Sequence, residues 1–268
     1  MSDRLNELEW KLLEGKLFDE YKSFIDRSRS IDKENLCSNI RYMMALSNTF
    51  NENSGEGEYM FIGGMGVLGN LVSHLGMGAI FNSRDIHDLD LVIKYRDYEF
   101  LLGTFLDDVY SYNKSLSIKD KLSFSGSCYD IEDKFLPRAR FDVYFPNGNP
   151  KKGTEINYTI IDENKWEKVR KVDFFGVPIN FVDPLTLLST KLNINSGSRN
   201  SREKKDDYDI INLLGVAEKD KYSTLDLEKN LSTDLIRKLK EFIKEKGKEK
   251  NMLNPSEDYL TKILSIEV

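Results

Sequence analysis

The apolar segment Tyr59–Ile62 runs directly into Gly63-Gly64, and a later segment, Arg84-Asp85-Ile86-His87-Asp88-Leu89-Asp90, opens a second apolar run that continues through Ile93. This pairing constrains the fold more than any other feature of the chain. The first segment predicts a strand that ends in a glycine turn. The second predicts a strand with two aspartates at its start. Between them, Gly66–Gly76 has the composition and spacing of a helix.

Side chains alternate faces along a strand. Asp88 and Asp90 are therefore expected to share one face, with Leu89, Leu91 and Ile93 turned to the core. Two like charges at ~4 Å repel by roughly 4 kcal/mol at an effective dielectric of ~20. A divalent cation relieves that repulsion, and Mg²⁺ prefers carboxylate, water and phosphate oxygens. A third carboxylate is offered by Arg138–Phe145. There Phe141, Val143 and Phe145 form one face, and Arg140, Asp142 and Tyr144 the other. If that strand lies beside the Asp88–Asp90 strand, Asp142 approaches both aspartates, and three carboxylates suit two metal ions.

An Asp-x-Asp triplet alone says little. With 24 aspartates in 268 residues, chance supplies about two such triplets. The chain has them at Asp88–Asp90 and Asp207–Asp209. Context separates the two: the first opens an apolar strand downstream of a strand and glycine turn, whereas the second sits in a helical pattern. Gly63 and Gly64 allow close approach of a ligand to the main chain. A helix that follows them would present free N–H groups suited to a phosphate.

The rest of the chain divides into three zones. Residues 1–53 read as a helical N-terminal region, with an apolar face over 5–24 and a second over 40–50. A polar, glycine-containing break at 51–58 leads into 54–182, a mixture of short strands and helices. Strands are expected at 59–62, 89–95, 121–128, 138–145, 156–161 and 177–182, with a further helix over 98–109. Residues 183–268 return to helical patterning. Asp183-Pro184 resembles a helix start, and 237–250 a charged amphipathic helix. The predicted class is α+β, a mixed sheet flanked by helices.

Net charge is −6, so the chain lacks the global basic footprint usual in nucleic-acid binders. Cys37 and Cys128 form neither a disulfide framework nor a zinc pattern. No signal-peptide pattern opens the sequence, and no apolar run has the length of a membrane span. A cytoplasmic protein with no membrane partner is the expectation.

The ordered elements Phe61-Ile-Gly-Gly64, Asp88-Leu-Asp90 and Phe141-Asp-Val-Tyr144 resemble the nucleotidyltransferase superfamily with the DNA-polymerase-beta-like fold. Arg84 stands where many members with a glycine turn carry an arginine, and Ile86 stands where they carry threonine. Val177–Lys191 and Arg199–Asp209 are similar to segments of antibiotic nucleotidyltransferases and abortive-infection-type toxin nucleotidyltransferases. The resemblance spans about 59–214. It implies that Asp88, Asp90 and Asp142 hold two Mg²⁺ ions, with Asp142 also the candidate base. It further implies that Gly63 and Gly64 contact the triphosphate, and that Arg84 and Lys191 neutralise phosphate charge. Lys205, Asp206 and Asp209 are further candidates. His87 is expected to be structural, His74 an ordinary helix residue and Asp85 a turn residue. The implied activity is Mg²⁺-dependent transfer of a nucleoside monophosphate from an NTP to an acceptor hydroxyl. The acceptor is left open among a small molecule such as an antibiotic, an RNA end and a protein. The alternative is a non-catalytic nucleotide-sensing or partner-binding module on the same fold.

Overall fold

A computed structural model describes residue 23 and residues 34–53, 59–93, 119–123, 126–131, 139–144, 168–194 and 203–268. The helical pattern over 5–24, the helix expected over 98–109 and the strand expected over 156–161 lie outside the described residues. The chain divides into two compact units. The first comprises Met1–Met65, Asp85–Lys151 and Val169–Phe181, and the second Gly66–Arg84, Lys152–Lys168 and Val182–Val268. These units interleave along the chain, whereas the zones 1–53, 54–182 and 183–268 are consecutive.

The first unit is built on a seven-stranded mixed sheet. Its strands are β1 (Tyr59–Phe61), β2 (Asp88–Ile93), β3 (Lys119–Ser123), β4 (Gly126–Ile131), β5 (Ala139–Tyr144), β6 (Arg170–Phe174) and β7 (Val177–Phe181). Their order is β3-β4-β5-β2-β1-β7-β6. β2 pairs parallel with β5 and β1 parallel with β7, while the remaining pairings are antiparallel. Helix α1 (Glu34–Asn53) packs on β7, β2 and β5. Leu36, Ile40, Met43 and Phe50 recur at helical spacing along it and are fully buried. A run of aromatic rings extends this core: Phe50 meets Tyr59 at a centroid distance of 4.9 Å, Phe61 meets Phe181 at 6.1 Å, and Phe174 meets Phe181 at 5.6 Å. Such pairs add to the stabilisation from buried area alone.

Two strand expectations change. The segment 121–128, read as one strand, contains the end of β3 and the start of β4, which pair antiparallel from Ser123 opposite Gly126. Its apolar and small residues carry no Asn-Gly or Pro signal to mark the reversal. β6 was not anticipated. It alternates buried Val172 and Phe174 with exposed Lys171 and Asp173, and it joins β7 through Phe175 and Gly176, at φ of 53° and 88°. Positive φ at both central residues suits a two-residue hairpin. Asp173 Oδ1 accepts from Gly176 N–H at 2.7 Å and closes the turn.

Helix α2 (Gly63–Leu75) crosses from the first unit to the second after Met65. The second unit continues with α3 (Gly78–Asn82), α4 (Pro184–Ile194), α5 (Glu203–Lys219), α6 (Thr224–Asn230), α7 (Thr233–Lys246) and α8 (Glu257–Leu264). Serines 223, 232 and 256 cap α6, α7 and α8, each accepting from a backbone N–H three residues on. α4 packs against α5. At Gly215 a Cβ would stand 2.2 Å from the Leu253 carbonyl oxygen, so only glycine lets that backbone approach α5. Asn212 Oδ1 fixes the same segment by accepting from Leu253 N–H at 2.9 Å. Among the described residues no helix is long and apolar enough to cross a membrane.

Asp183 begins α4 as the Asp-Pro signal indicated. Its Oδ1 accepts from Leu185 N–H at 3.0 Å and Thr186 N–H at 3.1 Å, and Pro184 occupies the position where a missing N–H costs nothing. Because this cap is buried, Asp183→Ala should destabilise the protein by about 1–2 kcal/mol, read as a lower urea midpoint with an unchanged slope.

Candidate functional site

The first unit gathers the glycine turn and the aspartates at one place in the sheet. β1 pairs with β2 only from Leu91 onward, through Phe61. Asp88, Leu89 and Asp90 therefore extend past the end of β1. At that end the chain turns through Ile62, whose N–H donates to the Asp90 carbonyl at 2.9 Å, and α2 begins at once with Gly63. Gly63 has φ +58°, and a Cβ there would lie 1.8 Å from Asp90 Oδ2. Glycine is required twice over: by the left-handed backbone and by the carboxylate that occupies the space of a side chain. The N-terminus of α2, with its unsatisfied N–H groups and positive dipole end, thus abuts the Asp90 carboxylate.

Strand alternation is as expected. Leu89 and Leu91 are 0% exposed, and Asp88 and Asp90 are half-buried. On the other edge of β2, the parallel ladder sets Asp88 opposite Arg140 and Asp90 opposite Asp142. The ladder therefore brings three aspartate positions and one arginine position together. For Asp142 this is a statement of backbone register. Among the described residues no three acidic, histidine or cysteine side chains group as a metal centre; Asp142 is described by its backbone. His87 is exposed and pairs with Asp85, Nε2 to Oδ2 at 3.4 Å. Asp85 Oδ1 accepts from Ile86 N–H at 3.1 Å, a local turn bond. Near the end of α2, His74 Nε2 lies 2.9 Å from Asp220 Oδ1.

Arg84 and Lys191 meet in the second unit, with Asp206 and Asp209. Arg84 donates Nε to Asp209 Oδ1 at 2.9 Å and an Nη to Oδ2 at 2.8 Å, a bidentate fork. Lys191 Nζ lies 2.9 Å from Asp206 Oδ1 and 2.8 Å from Asp209 Oδ2. Two cations and two anions make the group neutral. The Asp209 side chain is 1% exposed. Burial alone would raise its pKa, but Lys191 and Arg84 hold it below the usual carboxylate range. Burial alone would likewise push Lys191 down, but Asp209 and Asp206 hold it above its ordinary value. Burial and the Asp209 charge push the neighbouring Tyr208 phenol up to about 12. Lys205 is exposed at the start of α5. The central place of Asp209 was not legible in the sequence, because its partners are 125 and 18 residues away along the chain.

No protein-family model and no curated protein matches this sequence. Among solved structures, the chain is similar to an antigenic nucleotidyltransferase-like protein from Paracoccidioides brasiliensis. That match has 16% identity and a TM-score of 0.48, over 80% of this chain and 89% of that one. It is also similar to the Megavirus polyadenylate synthase, at 9% identity and a TM-score of 0.33, over 83% of this chain and 38% of that one. A likeness this distant carries no chemistry, which must come from the chain's own side chains. The fold is α+β with a mixed sheet.

Two substitutions probe the two groups. Gly63→Ala should cost about 1–3 kcal/mol of stability through backbone strain, and it should shift the Asp90 side chain, visible as perturbed amide resonances at the start of β2. Asp209→Asn breaks a buried pair and should cost about 3–5 kcal/mol at neutral pH. Since the folded pKa of Asp209 lies below the ordinary 3.8, its contribution is in force above that pH and fades as pH falls through the folded value. The stability gap between wild type and Asp209→Asn, measured by urea unfolding, should therefore narrow in acid below about pH 4.

Proposed function

We propose that the chain is a metal-dependent nucleotidyltransferase that moves a nucleoside monophosphate from an NTP to an acceptor hydroxyl. The observation that carries this reading is the parallel register of Asp90 with Asp142, two residues along from Asp88, beside a helix N-terminus held against Asp90 by Gly63. The donor set fits Mg²⁺. The positions are carboxylates, hard oxygen ligands. When bound there by Asp88, Asp90 and Asp142, Mg²⁺ would supply charge neutralisation at the phosphates and at the attacking oxygen.

The chain's own groups supply positioning and charge stabilisation, which dominate phosphoryl-group chemistry. Gly63, half-buried against the Asp90 carboxylate, and Gly64, buried behind it, bring the α2 N-terminus to the aspartates, where a triphosphate oxygen would meet it. Asp142 takes the proton of the acceptor hydroxyl as it attacks the α-phosphorus, and pyrophosphate leaves. Arg84 and Lys191, candidates for phosphate contact, are tied to Asp209, so any such contact needs them to share their hydrogen bonds with that carboxylate.

The test is incubation of purified protein with each α-labelled NTP and Mg²⁺, with small RNA or candidate antibiotics as acceptor. Label should enter an acceptor in wild type, and Asp88→Asn and Asp90→Asn should each lower incorporation at least about a hundred-fold, the scale for losing one charge-stabilising group. Metal-dependent NTP binding with no incorporation would favour the non-catalytic nucleotide-sensing reading. Neither binding nor incorporation would overturn both.

A further inference from the structure

We propose that Asn39, on α1, is a positioning residue for the Asp88 carboxylate. The inference rests on the metal-site reading above and adds to it a residue outside the segment that resembles nucleotidyltransferases.

The backbone entering β2, from Ser83 to His87, has no regular structure. The ladder to β1 starts only at Leu91, so Asp88 is held by β5 along one edge and by whatever fixes the chain just upstream. The bonds of Asp85 to Ile86 N–H and to His87 are local. Arg84 is held by Asp209, and nearer to Asp88 a distant element also takes hold: Asn39 Nδ2 donates to the Ile86 carbonyl at 2.7 Å, across 47 residues of sequence. Ile86 lies two residues before Asp88, and its side chain is buried. The bond therefore sets the height and direction at which the strand enters, and with them where the Asp88 side chain stands.

The surroundings of Asn39 argue for position over stability. It is 1% exposed, on a helix whose inward positions are mostly apolar, with Ser47 the other buried polar one. Its Oδ1 is buried with no hydrogen-bond partner among the described residues. A leucine at this position would leave no such orphan, and an unmet polar atom is costly in a packed interior. The retained amide uses its donor on one carbonyl, and that carbonyl belongs to the approach to Asp88.

The experiment measures Mn²⁺ binding to the full chain by electron paramagnetic resonance, alongside thermal melting, for wild type, Asp88→Asn, Asn39→Leu, Asn39→Ala and Ile40→Val. Wild type should bind Mn²⁺ and Asp88→Asn should lose it. The Asn39 variants should bind about ten-fold more weakly, the lower end for partners that orient ligands, with an altered hyperfine pattern. Ile40→Val, a packing change on the same helix that keeps the amide, should bind as wild type. Folded Asn39 variants with wild-type affinity and spectrum would overturn the proposal. So would failure of both to fold, which would make Asn39 a residue of stability alone. Wild type without Mn²⁺ binding would overturn the metal site itself, and is told apart because it needs no variant.

Discussion

The space beside the Asp90 carboxylate admits no side chain at Gly63, and the geometry of the candidate site follows from that exclusion. The β1–α2 turn must be a glycine with positive φ, seated where β2 outruns β1. Once it is seated, Ile62 N–H reaches the Asp90 carbonyl and the first turn of α2 faces the Asp90 side chain. A carboxylate at a helix N-terminus is favourable in its own right, by up to about 1 kcal/mol where half-exposed. That accounts for Asp90. It does not account for Asp88 on the same strand face, nor for an aspartate position opposite Asp90 on β5. A strand pair that needed only to cap a helix would have no use for three.

The two acidic groups solve opposite problems. In the second unit each of Asp206 and Asp209 has a cation within hydrogen-bonding distance, and Asp209 has two. The group is charge-balanced from the chain's own residues, and the depressed pKa of Asp209 is the signature of that balance. Such a cluster gains little net stability over apolar packing, but losing one member is costly. It behaves as a tie: Arg84 immediately precedes the segment that enters β2, and Lys191 stands in the last turn of α4. In the first unit the backbone register sets acidic positions side by side with one arginine position among them.

Local signals were the legible ones. The helix after Gly63, the Asp183-Pro184 start and the alternation from Asp88 to Leu91 each depend on residues within a few positions of one another, and each appears where the pattern indicated it. Pairing was less legible. The β3–β4 reversal carries Ser125-Gly126 but no Asn-Gly or Pro, a weak turn signal, and β6 mixes charged and apolar side chains in a way that also suits a loop. The neutral group around Asp209 could be listed residue by residue but not assembled, since ion pairs across more than a hundred residues leave no periodic trace. Arg84 and Lys191 were read as phosphate ligands because a cation's partner is invisible until the chain is folded. The Asp90–Asp142 register was stated only as a condition, that the two strands be neighbours, and the ladder between β2 and β5 meets it.

The motif that suggested nucleotidyl transfer begins at residue 59, yet the strands that carry it are not self-sufficient. α1 lies wholly before that motif, packs on β2, β5 and β7, and buries Phe50 against Tyr59. It belongs to the same compact unit as the aspartates. Without it, the core face of the sheet would lose its cover and Ile86 its carbonyl partner. The chemistry proposed at Asp88 would demand placement to within a fraction of an ångström, and the proposed role of Asn39 would draw part of that placement from a helix that carries no catalytic motif.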